Sequence, residues 1–114
     1  MPAKDPLVYL MHIRDCCERI VSYTSGAGPG WPSETMVMDA VLRNLEIIGE
    51  AARKTDAGFR AAHPEIPWQS MIGARNILIH AYESLKPRII QGMVDTDIPD
   101  LLAAVQRVLG EAGR

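Results

Sequence analysis

Apolar residues recur every three or four positions along most of this chain, and no stretch alternates apolar and polar residues one by one. That pattern turns one face of an α-helix inward and excludes a sheet of half-buried strands. The first segment opens at Asp5-Pro6, a carboxylate cap followed by proline at the first helical position. Leu10, Ile13, Cys17, Ile20 and Val21 then fall on one face, which predicts a helix to about Tyr23, broken by Ser25-Gly26-Ala27-Gly28-Pro29-Gly30. A second helix is expected from Ser33-Glu34 to Lys54, with Val37, Met38, Val41, Leu45, Ile48 and Ala52 inward. Asp39, Arg43, Glu46, Glu50 and Arg53 form its charged stripe, and Asp39/Arg43 and Glu50/Lys54 are spaced for ion pairs. Gly49 weakens this helix intrinsically, so close approach of a neighbouring helix is the expected reason for it.

Residues 55–66 read as a short helical turn and a loop ending in His63-Pro64-Glu65-Ile66-Pro67. A third long helix is expected from Pro67 to about Tyr82, and a last one from Pro87 to Glu111 with a kink or break near Asp97-Ile98-Pro99. The chain is therefore read as all-α, an antiparallel four- to five-helix bundle. Its 114 residues suffice for one domain, residues 1–114, around one core.

Charge and composition narrow the function. A net charge of -2 excludes a protein that holds nucleic acid by blanket positive charge, so any such contact must be a local patch. With 5% aromatic residues, a base-stacking platform is excluded too. Cys16 and Cys17 are adjacent, which strains a mutual disulfide and suits a reducing cytoplasm. The first residues carry no basic region followed by an apolar run, and no apolar stretch is long enough to span a membrane. No metal site is expected, because His12, His63 and His80 are scattered and the cysteines lack ligand spacing. No glycine-rich phosphate loop is present either, and no cofactor is expected.

The segment from Pro67 to Tyr82 is the unusual one. On a helical wheel Trp68, Met71, Ile72, Leu78, Ile79 and Tyr82 lie within roughly 60° of Arg75, which puts a guanidinium in the middle of the apolar face. Ser70, Gly73, Ile77 and Ala81, small or apolar, fill the opposite face. A helix apolar on both sides must be covered on both sides, and one small domain covers only one. A symmetric homodimer is therefore expected, with Gly73 and Ala81 permitting close approach. Arg75 needs either a carboxylate partner or a cleft that holds an anion. Asn76 and His80, four apart, border the two faces.

Arg75-Asn76-Ile77-Leu78-Ile79-His80, with Tyr82 two residues on, resembles the HEPN superfamily, specifically the HepT-like toxins of toxin–antitoxin pairs. The resemblance extends to Arg43-Asn44-Leu45-Glu46-Ile47-Ile48-Gly49-Glu50-Ala51-Ala52, to His63-Pro64-Glu65-Ile66-Pro67-Trp68, to Ile13-Arg14-Asp15 and to Asp97-Ile98-Pro99, and so covers nearly the whole chain. Ala81, Glu83 and Gly92 depart from the residues usual in relatives.

The resemblance implies a metal-independent endoribonuclease toxin of a type II or type VII-like toxin–antitoxin system. His80 would act as general acid and base, Arg75 would bind the scissile phosphate, and Asn76 would orient the phosphate or the imidazole. Lys86 and Arg88 could extend the RNA-binding patch. A minimal nucleotidyltransferase antitoxin would neutralise the toxin by adenylylating Tyr82. Two other readings of the same residues stay open. One is a non-catalytic helical dimer that binds a nucleotidyltransferase or a nucleotide. The other is a structural helical protein in which Arg75 merely pairs with an internal glutamate.

Overall fold

The structure, a computed structural model, describes residues 5–80 and 84–114. They form α1 (Pro6–Ala27), α2 (Thr35–Lys54), α3 (Ala57–Ala62), α4 (Trp68–His80), α5 (Pro87–Gly92) and α6 (Ile98–Glu111). A 3-10 turn at Trp31–Ser33 precedes α2, and a π-helical turn at Met93–Asp97 joins α5 to α6. There is no strand among the described residues.

α1 starts as its cap dictates: Leu7 N–H donates to Asp5 Oδ1 at 2.9 Å, and Pro6 opens the helix. It runs further than the glycine-rich segment led us to expect. Gly26 stays helical, and the chain turns only at Gly28, whose φ of 82° is one that side chains other than glycine's resist. Thr24 accounts for the extra turn. It is buried, and its hydroxyl donates to the Ile20 carbonyl at 2.9 Å, so packing secures a segment that propensity alone would release.

α1 and α2 are long helices joined by a short link and packed along each other, which makes them an antiparallel pair. α6 packs on α1, and α4 packs on α2. Leu10, Ile13, Cys17 and Ile20 meet Val41, Leu45, Ile48 and Ala52 across the pair, and Leu101, Val105 and Val108 close the core from α6. Val21, assigned inward from its spacing, is instead 38% exposed, while Cys16 is buried. With α2 and α6 both on α1, the covered face is shifted round the helix toward Cys16.

The C-terminal helix does not break at its proline. Pro99 has no N–H for the Asp95 carbonyl four residues back. The backbone widens before it: Ile98 N–H reaches back five residues to the Met93 carbonyl. Pro99 thus occupies the first turn of α6, where its missing N–H costs nothing. The rod continues, and Ile90, Val94, Ile98 and Leu101 all stay buried along it.

Candidate functional site

The entry into α4 is pinned by its own sequence. The indole N–H of Trp68 donates to the His63 carbonyl at 3.0 Å, and Phe59 meets the Trp68 ring edge-on with centroids 6.2 Å apart. Ile66 is fully buried beneath this turn. α4 then crosses α2 at Gly49. A Cβ at Gly49 would run into Arg75 Cβ and would sit 2.7 Å from the Met71 carbonyl oxygen, so the absence of a side chain there sets how closely the two helices pack. Close approach, the expected reason for this glycine, is the observed one.

That crossing decides where Arg75 goes. Its Nε lies 2.8 Å from Glu50 Oε2, and its Nη1 donates to Asn76 Oδ1 at 3.3 Å. The carboxylate partner that a half-buried guanidinium requires is therefore the residue next to Gly49. Sequence reasoning put Glu50 in a solvent-facing charged stripe paired with Lys54. That pair is present at 3.7 Å, but Arg53 and Arg75 hold the same carboxylate. Arg53 Nη2 donates to Oε1 at 2.6 Å. These cations keep the Glu50 carboxyl below its ordinary range, Arg53 most strongly, then Arg75 and Lys54. Nothing local in the sequence pairs Glu50 with Arg75; the crossing at Gly49 does. Asp39 and Arg43, also spaced as a pair, form no ion pair within the described residues.

The Arg75 side chain is 24% exposed and lines a groove of about 420 Å³. Tyr9 and His12 of α1, Arg43, Glu46 and Lys54 of α2, and Arg75 line it. So the charged stripe of α2 is not all surface; part of it is the wall of this groove. Sequence reasoning missed Tyr9 and His12 here, because only packing brings the start of α1 beside Arg75.

His80 ends α4 and is exposed, and it makes no hydrogen bond or ion pair among the described residues. About 140° of helix separates it from Arg75, so the structure joins Arg75 to Asn76 and Glu50 but does not join Arg75 to His80 within one protomer. Asn76 and His80 flank Ile77, 50% exposed, and Ile79, 42% exposed. A Cβ at Gly73 would meet nothing within 4 Å. The expected second apolar face of α4 is thus open, and it is wider than expected, because Ile79, assigned inward, belongs to it. The reason is that α4 rests chiefly on α2 and buries only Trp68, Met71 and Leu78 fully. Lys86 and Arg88 are exposed at the start of α5. Tyr82, together with Ala81 and Glu83, lies outside the described residues.

No group of three or more His, Cys, Asp or Glu is placed to hold a metal ion among the described residues. No described helix is long and apolar enough to cross a membrane.

Comparison with known proteins agrees with the family resemblance. The family model "Ribonuclease HepT-like" matches residues 13–108. A protein of Caldanaerobacter subterraneus subsp. tengcongensis named "Putative RNase" is 35% identical over 107 residues, covering 93% of this chain and 96% of its own. A Methanocaldococcus jannaschii protein, also named "Putative RNase", is 33% identical over 109 residues, 95% of this chain and 100% of its own. A Thermococcus cleftensis protein named "Probable ribonuclease HepT" is 44% identical over 69 residues, 60% of this chain and 63% of its own. No solved structure gives a significant match.

Proposed function

The chain belongs to the HepT-like ribonuclease family, and from that premise we propose that it is a metal-independent endoribonuclease toxin that works as a homodimer. Arg75, Asn76 and His80 form its site. The observation that carries this reading is a half-buried Arg75 beside a groove, on a helix whose other face holds an exposed Asn76 and His80 among uncovered isoleucines. A two-fold axis along that face would cover Ile77 and Ile79 and bring two copies of the motif to one seam. That supplies the proximity of Arg75 and His80 that one protomer lacks.

In this site His80 accepts the proton of a ribose 2′-hydroxyl as its oxygen attacks the neighbouring phosphorus. Arg75 donates hydrogen bonds to the non-bridging oxygens and stabilises the charge that builds on them. Asn76 orients the phosphate or the imidazole. The bond to the 5′-oxygen breaks, and that oxygen takes a proton from the protonated imidazole of the other subunit. The products are a 2′,3′-cyclic phosphate and a 5′-hydroxyl. Lys86 and Arg88 extend the positive patch along the strand.

The partner in this reading is a minimal nucleotidyltransferase antitoxin. It transfers AMP from ATP to the Tyr82 hydroxyl, forming a phosphodiester and releasing pyrophosphate. The added bulk and negative charge would repel RNA phosphate.

One observation favours a second reading. The Arg75–Glu50 pair at 2.8 Å is what a purely structural arginine would show, and it suits a non-catalytic helical protein in which Arg75 merely pairs with a glutamate. RNA cleavage by wild type and His80→Ala separates the two. The ribonuclease reading expects cleavage in the presence of EDTA and cyclic-phosphate ends, with loss of activity but not of dimerisation in His80→Ala. No cleavage by wild type favours a non-catalytic helical protein. Co-expression with the neighbouring gene, followed by intact mass, tests Tyr82; no gain of adenylyl units overturns that part.

A further inference from the structure

We infer that Glu50 is a positioning residue that holds Arg75 by its Nε and leaves the far edge of the guanidinium free for a phosphate; this rests on the ribonuclease reading above. A carboxylate beside a phosphate-binding arginine is ordinarily a liability, because it competes for the same donors. Here the geometry divides the work between its two oxygens. Oε2 forms an ion pair with Arg75 Nε at 2.8 Å and accepts a hydrogen bond from Arg53 Nε at 3.3 Å. Oε1 receives Arg53 Nη2 at 2.6 Å and faces Lys54 Nζ at 3.7 Å. The carboxylate is therefore occupied by Arg53 side-on, and its nearest approach to Arg75 is at Nε, the nitrogen nearest the chain. Asn76 takes one Nη1 donor. Among the described residues Asn76 alone accepts a hydrogen bond from Arg75, so four of the five guanidinium N–H donors are unspent.

The charge balance points the same way. Three cations surround one carboxylate, so the cluster keeps two net positive charges while its central arginine is held still. Gly49 fixes the distance from α2 to α4, and Glu50, next in sequence, fixes the rotation of the Arg75 side chain. A long, flexible arginine becomes a preset donor, and this lowers the cost of ordering it when the transition state forms.

The test is steady-state cleavage of an end-labelled, mixed-sequence single-stranded oligoribonucleotide by the full chain, with wild type, Glu50→Gln and Asp39→Asn compared. Glu50→Gln keeps the size of the side chain and removes its charge. We expect kcat to fall about tenfold or more, as loss of orientation does, while KM is unchanged or lower because a negative charge has left the cleft. Asp39→Asn, which removes the same charge from an exposed position on α2, leaves both constants alone. In a spectrum of ¹⁵N-arginine-labelled protein, the Arg75 Nε–H signal shifts in Glu50→Gln and in no other of these variants. Wild-type kcat in Glu50→Gln, from an active wild type, overturns the positioning role alone. A raised KM with a lowered melting temperature and unchanged kcat assigns Glu50 to stability and also overturns it. A wild type that cuts no RNA overturns the ribonuclease reading, and the positioning role falls with it.

Discussion

Gly49 shows how much a single missing side chain decides. A methyl group there would meet the Arg75 stem and the backbone carbonyl of Met71, and a backbone oxygen does not move aside as a side-chain tip does. Gly49→Ala should improve helix propensity by about 1 kcal/mol yet destabilise the protein on balance by roughly 1–2 kcal/mol, measured by urea unfolding. Its neighbour Glu50 has a pH signature. Its carboxyl is held low in the folded chain, so it contributes stability that is present above the unfolded carboxylate pKa and lost as pH falls through its depressed folded value. Melting curves for wild type and Glu50→Gln should differ near neutrality and converge in acid. The thiols behave oppositely. Burial, reinforced by Cys16, pushes Cys17 up to about 12 from the ordinary 9.0. The unfolded thiol ionises first as pH rises, so stability should decline from about pH 9 upward. Neither cysteine should react with iodoacetamide at pH 8 until urea opens the core; rapid labelling of the native chain would contradict the burial.

At the scale of elements, local chemistry placed the helix starts and tertiary packing placed several of the ends. The Asp5 cap of α1 is wholly legible in sequence, and Asp5→Ala should cost about 1 kcal/mol in urea unfolding. The last turn of α1 was not legible, because it depends on the burial of Thr24. Pro99 was a visible disturbance, but its form was not. A chain that must keep Val94 and Ile98 buried on either side of the disturbance absorbs it as one wide turn, since a break would expose them. α4 was read as apolar on two faces, and the structure leaves one of them open.

For the whole molecule, that open face is the main expectation outside the fold. Ile77 is half-exposed on α4, and Ile89 is half-exposed on α5. Ile77→Asp should leave the protomer's melting temperature within a few degrees of wild type, because half of the residue is already exposed. In light scattering it should shift a dimer to a monomer, and it should abolish RNA cleavage. A dimer that survives this substitution would place the two-fold axis elsewhere.

The sequence by itself determined that the chain is helical, where α1 starts, and that Arg75, Asn76 and His80 share one helix, because these follow from periodicity and from residues close along the chain. Only the tertiary structure decided that Glu50 is the partner of Arg75 and that Tyr9 and His12 stand at the same groove. Those facts depend on how far and at what rotation α2 meets α4. That is set by the Gly49 contact, which joins residues more than twenty positions apart, and no local pattern encodes a rotation between two helices.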